Sequence, residues 1–168
     1  MTKAITDKTE KRRQEIIGIV AMHLVRDGFQ NSGLRAIAKS VGMSDRMLMY
    51  YFETKEELIA EALSMVGENL ADGMEQSLPE GKGTVNQVLA ALLQSGQSAE
   101  VKAVMRLWFE IIGLSMRGQE PYQKTVAQLL ERSEERIRGK LRADQKHRAR
   151  EVLARLEGEL MLGLLMPV

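Results

Sequence analysis

The sequence predicts an all-α fold, on three observations. Apolar residues recur at three- and four-residue spacing in one segment after another, and no stretch keeps the period-2 alternation of a half-buried strand. The breaks between those segments are marked by glycine and by two of the chain's three prolines, at Asp27-Gly28, Gly42, Pro79-Glu80-Gly81-Lys82-Gly83, Gly96-Gln97-Ser98 and Gly118-Gln119-Glu120-Pro121. Near the N-terminus, two of the segments are short and joined by a single tight turn, the form in which a DNA-reading helix-turn-helix is written. Helices are expected at about 8–28, 34–41, 45–51, 55–77, 83–95, 99–117, 121–141 and 146–165.

The first helix carries Ile16, Ile17, Val20, Leu24 and Val25 on one face and stops at Asp27-Gly28. In the second, Leu34, Ile37, Ala38 and Val41 fall at i, i+3, i+4 and i+7, so Arg35 and Lys39 are left for solvent or phosphate. Gly42 follows the last apolar residue, where a helix commonly ends with positive φ. Ser44 then stands at an N-cap. In the third helix Leu48 and Phe52 point inward. Asp45, Arg46, Met47, Met49, Tyr50 and Tyr51 divide the outward surface. Thr54 caps the fourth helix, with Glu57 completing a capping box. Lys55 puts a cation at the positive end of that helix, and a bound phosphate would offset the mismatch.

Beyond the break at 79–83 the segments are more apolar. The helix at 99–117 carries Met105, Trp108, Phe109, Ile112 and Met116, opposite Leu89 and Leu92 of the preceding helix. These seven are the expected walls of a tolerant apolar pocket, with a plain hydrophobic core as the other reading. Glu110, Arg106 or Gln94 could anchor a polar group there. Tyr122, Val126, Leu129, Leu130, Ser133, Ile137 and Leu141 form one later stripe; Leu153, Leu156, Leu160, Gly163 and Leu164 form another. Two such stripes suit a dimer surface, the alternative being burial within the same chain. The apolar end, Leu162 to Val168, is easier to explain if a partner covers it.

Composition narrows the function. No cysteine is present, which excludes disulfides and cysteine metal sites. The two histidines, His23 and His147, belong to no metal-ligand pattern, and phosphate loops, HExxH and nucleophile elbows are missing. Neither an enzyme, a metal nor a cofactor is expected. No apolar run is long enough to span a bilayer and no secretory pattern opens the chain, so a cytoplasmic location is the default. Net charge is +1, but residues 1–52 hold nine positive and five negative side chains, a basic head on a mildly acidic remainder.

Residues 10 to 66 resemble the TetR/AcrR family of bacterial helix-turn-helix regulators. The elements that carry the resemblance are Gly28-Phe29, Ile37-Ala38, Gly42-Met43-Ser44, Tyr51-Phe52 and Lys55-Glu56-Glu57-Leu58, in that order. It implies a three-helix DNA-binding unit at 1–54 and a helical ligand-binding and dimerisation domain at 55–168, the fourth helix connecting them. It further implies a homodimer on a palindromic double-stranded operator, released by a small apolar effector, usually as a repressor. Arg46 and Tyr50 would then meet base edges, with Met47 or Met49 at a thymine methyl. Ser44, Tyr51 and Lys55 would hold phosphates, joined by Arg13 or Arg35. Two positions depart from the family: Gly33 stands where most members carry Ser or Thr, with Ser32 beside it expected to substitute as the cap, and Met49 stands where most carry Tyr. Two other readings stay open, a helix-turn-helix protein whose C-terminal half only dimerises, and a helical module that binds another protein.

Overall fold

The computed structural model describes residues 2–78 and 80–166, with side chains from residue 8 onward. Pro79, at the clearest sequence break, and the last two residues of the apolar end lie outside the described residues. Eight α-helices occupy what is described: α1 (Thr2–Asp27), α2 (Leu34–Val41), α3 (Asp45–Leu48), α4 (Lys55–Gln76), α5 (Val85–Ser95), α6 (Ala99–Met116), α7 (Tyr122–Lys140) and α8 (Ala149–Leu165). The fold is all-α, as the periodicity predicts.

The helix ends follow local chemistry. Gly28 and Gly42 take φ of 77° and 75°, the left-handed region a side chain resists. Ser44 caps α3, its hydroxyl accepting from Met47 N–H at 3.2 Å. The α-helix there is shorter than the expected 45–51. After Leu48 the chain tightens into i+3 bonds, Tyr50 N–H to Met47 O and Tyr51 N–H to Leu48 O, which turn Phe52 into the core. Thr54 caps α4 by accepting from Glu57 N–H at 3.0 Å. The expected box closes one residue early, because Glu57 Oε2 takes the N–H of Glu53 rather than Thr54.

α5 starts at Val85 rather than at 83. Gly83 is used instead in a two-bond bridge to the end of α7, donating to Lys140 O and accepting from Arg142 N–H, each at 2.9 Å. Thr84 and Gln87 then form a full capping box. A 3₁₀ segment, Ala143–Arg148, stands where the start of the last helix is expected, so α8 begins at Ala149.

Two apolar cores result. The first joins Ile16, Val20 and Leu24 of α1 to Ile37, Leu48, Phe52, Leu58 and Ile59. It also takes in Leu107 and Ile111 of α6 and Tyr122 and Val126 of α7, so packing runs across residue 54. The second gathers Met74, Val88, Leu92, Met105, Ile137, Val152, Leu156 and Leu160. α4 feeds both, from Leu58 to Val66 in the first and through Met74 in the second. Trp108 and Leu130 pack against both.

Most of the expected dimer stripe proves to be internal. Tyr122, Val126, Leu129, Ile137, Leu153, Leu156 and Leu160 are each under 9 % exposed within the single chain. Leu130 and Leu164 are half-buried against the cores. The reason is helix count: α7 and α8 must close the body over α4, α5 and α6, which uses their apolar faces. What α8 leaves outside is a different strip, Met161, Leu162, Leu165 and Met166, 40–71 % exposed.

Candidate DNA-binding face and internal chamber

The expected reading surface is exposed and preorganised. Arg35, Ser44 and Arg46 are exposed, and neither arginine makes an ion pair among the described residues. Met47 is 51 % and Tyr50 74 % exposed, unusual for side chains this apolar unless something covers them. Tyr50 stands edge-on to Tyr51, ring centroids 5.3 Å apart, which limits how far the phenol can swing. Tyr51, Asp45 and Met49 are half-buried at the base of the surface. Lys55 sits in the first turn of α4, 3.5 Å from Glu56. Leu48, fully buried, fixes α3 from beneath.

Two expectations about this face are corrected. Arg13 does not point outward to a phosphate. It donates to both oxygens of Glu61, to Glu57 at 3.3 Å and to Tyr51 O at 3.4 Å, and lies 4.8 Å over the Phe52 ring. It therefore clamps α1 to α4 and braces the turn after α3. Ser32 does not replace a cap on α2; it is buried, and Gly33 caps with backbone alone. His23 is buried, as a packing residue should be. Its Nε2 lies 3.1 Å from Asn31 O and its Nδ1 2.7 Å from Asp27, so it holds the turn between α1 and α2.

In the body, α4, α5, α6, α7 and α8 line a partly open chamber of about 100 Å³. Leu92, Met105 and Trp108 line it, as expected. The other expected walls do not. Leu89 is buried in the second core, Phe109 packs on that core from outside, and Ile112 packs on the first core. Met116 is 82 % exposed at the end of α6, too far along the helix to face inward. A larger groove of about 1380 Å³ runs outside, between α1, α4 and α6, but it lies open to solvent.

The polar group of the chamber is Glu157, which is not among the anchors expected from the sequence. Trp108 Nε1–H donates to its carboxylate at 2.9 Å. Burial pushes the Glu157 carboxyl above the usual carboxylate range, and the Trp108 hydrogen bond opposes that only partly. The sequence does carry a signal for it: Glu157 falls at i+4 from Leu153 and i+1 from Leu156, inside the apolar stripe of α8. Of the expected anchors, Arg106 is exposed and Gln94 lines the outer groove. Glu110 turns to the head, where its Oε2 accepts from Phe29 N–H at 2.8 Å. Beside it Tyr122 meets Phe29 edge-on at 5.4 Å, its phenol pushed up to about 12 by burial and then by the charge of Glu56.

α4 is held along its length by cations of its neighbours. Beyond Arg13 at its start, Arg136 of α7 reaches Glu68 at 2.7 Å, Asp72 and Glu75, and Lys140 reaches Glu75 at 3.2 Å. Among the described residues no helix is long and apolar enough to cross a membrane.

Residues 21–62 match the model of the family described as bacterial regulatory proteins, tetR family. The HTH-type transcriptional regulator PksA of Bacillus subtilis is 31% identical over 105 residues, a match covering 60% of this chain and 49% of that relative. The matched region thus spans about half the length of that regulator. Among solved structures, a candidate transcriptional regulator from Pseudomonas aeruginosa PAO1 superposes with a TM-score of 0.73 at 21% identity, covering 95% of this chain and 82% of the other. The candidate regulator SCO7518 from Streptomyces coelicolor gives 0.76 at 19% identity, covering 94% and 89%. At these identities the two structures establish the fold.

Proposed function

We propose that the chain is a helix-turn-helix regulator of the TetR family, a ligand-responsive repressor that grips a palindromic operator as a homodimer. Residues 1–54 are the reading head and 55–168 the regulatory body. The observation that carries the reading is the exposed surface of α3 and of the turn after it: Arg46, Met47 and Tyr50 project beside two capped helix starts, with Leu48 locked underneath. Arg46 and Tyr50 read base edges, and Met47 or Met49 meets a thymine methyl. Ser44, Tyr51, Lys55 and Arg35 hold phosphates, and Arg13 supports them from within rather than touching DNA.

The homodimer is supported by the strip left outside on α8. Met161, Leu162 and Leu165 are exposed, and nothing lies within 4 Å of where a side chain at Gly158 would begin, so a second helix can approach closely. Two heads then face successive major grooves, about 34–36 Å apart. The work is cytoplasmic, where the operator is.

Ligand control has a physical route. Trp108 walls the chamber, and two residues on, the same helix holds the turn between α1 and α2 through Glu110. A ligand that parts α6 from α8 shifts that turn and the head with it. DNA affinity falls to the extent that the ligand prefers the shifted state. The presence of a chamber favours this over a body that only dimerises.

Selection of bound sequences from random duplex DNA tests the proposal. Enrichment of an inverted repeat supports it. A single unrepeated half-site would remove the dimer, and no enrichment at low salt would remove DNA binding itself.

A further inference from the structure

The chamber contains charged groups of two kinds. Glu75, Arg136 and Lys140 line it but satisfy one another, with Glu68 and Asp72 completing the set. Glu157 lines it too, and no cation lies within ion-pair distance of its carboxylate among the described residues. Among those residues its one polar partner is the Trp108 indole N–H, a neutral donor. Most of the remaining lining is apolar, with Leu153, Leu156, Leu160 and Met105 among it.

That arrangement is unfavourable for an unliganded protein. A carboxylate among leucines loses hydration that one indole hydrogen bond does not replace. The indole needs only a neutral acceptor, which a glutamine or a serine would supply without the charge. An apolar ligand would make matters worse, because it would displace what water still reaches the carboxylate. A ligand with a cationic head and an apolar body would do the reverse, pairing the charge while filling the chamber.

Resting on the reading of this chamber as the effector site, we propose that the effector is a small amphiphilic cation, an amine whose ammonium pairs with Glu157 while its hydrocarbon body lies against Met105, Leu156 and Leu160. This replaces the small apolar effector expected from the sequence. The volume sets the size of the body. About 100 Å³ is smaller than the cavity of roughly 150 Å³ that holds a benzene, so the body is at most a compact ring or short chain, and it enters only as the helices part.

The experiment uses the full chain and its single tryptophan, Trp108, which sits in the chamber wall and reports by fluorescence. Cyclohexylammonium chloride, cyclohexanol and sodium cyclohexanecarboxylate are titrated at constant ionic strength into the wild type and Glu157→Gln. The variant keeps an acceptor for the indole and removes the charge. In the wild type the ammonium should bind at least tenfold more tightly than the alcohol, and the carboxylate most weakly. In Glu157→Gln the ammonium should lose that advantage while the alcohol binds as before. Equal binding of ammonium and alcohol to the wild type, or a preference that survives in the variant, overturns the role of Glu157 and leaves the chamber as a neutral site. If no probe binds by fluorescence or calorimetry, the chamber itself is not the ligand site. The wild-type comparison decides the matter even if the variant folds poorly, and its melting curve shows whether it does.

Discussion

The head and the body are built from the same kind of helix but packed to different ends. In the head, Ile16, Val20, Leu24, Ile37 and Leu48 are all at 0 % exposure, and the buried polar residues are His23 and Ser32, neither of them charged in its own right like a carboxylate. In the body, the second core keeps Leu141 and Val152 at 0 % exposure too, but Leu153, Leu156 and Leu160 line a partly open chamber that admits a carboxylate. A solid core holds a reading surface in one shape, and a core with a void has somewhere to move. The difference fits the proposed division, with recognition in the first region and response in the second.

The sharpest way to break the comparison is to open a void in the head. Leu48→Ala should cost about 2–5 kcal/mol, because the residue is fully buried within the first core. Thermal melting measures this directly, and a loss below about 1 kcal/mol would mean that the head is as yielding as the body. The next effect is Arg13→Ala, expected to cost about 1–3 kcal/mol by leaving Glu57 and Glu61 without their shared cation. It should weaken DNA binding with little change in salt slope, since Arg13 braces the face from inside. A salt slope lower by about one would return Arg13 to the phosphates.

Glu157→Gln tests the body. Burial raises the folded-state pKa of this carboxyl, so the folded chain holds its proton more firmly than the unfolded chain does. The resulting stability is present at acid pH and is lost as pH rises from the ordinary carboxylate value through the raised one. The variant should therefore melt above the wild type at neutral pH, with the gap closing toward about pH 4, the ordinary carboxylate range. A gap independent of pH would show that the charge is not what matters at this position. The smallest effect is Gly33→Ser. Gly33 has a φ of −62° in extended backbone, and a Cβ added there would meet nothing within 4 Å, so a hydroxyl fits and caps α2. A gain of about a few tenths of a kcal/mol is expected in melting. Tighter operator binding would come with it if that hydroxyl also touches phosphate, and unchanged binding would confine its effect to the cap.

Much of this molecule is legible in its residues alone. The all-α class, the start and stop of α2, the caps at Ser44 and Thr54 and the outward set on α3 follow from spacing and from hydrogen bonds made within four residues. Local interactions of that range are encoded locally, and the family resemblance rests on them. The limits appear where one stripe has two possible neighbours. Leu129, Leu153 and Leu156 could face a partner or their own chain, and periodicity treats both alike; only the packing of α7 and α8 over α4 turned them inward. Arg13 looked like any exposed cation until Glu57 and Glu61, more than forty residues on, were brought beside it. Glu157 looked like one of many charges on a helix until Trp108 arrived from α6. The sequence by itself determined the helices, their caps and which residues α3 presents. Tertiary structure decided which apolar faces were used up and which charges found ion-pair partners, because those depend on contacts between residues far apart in the chain.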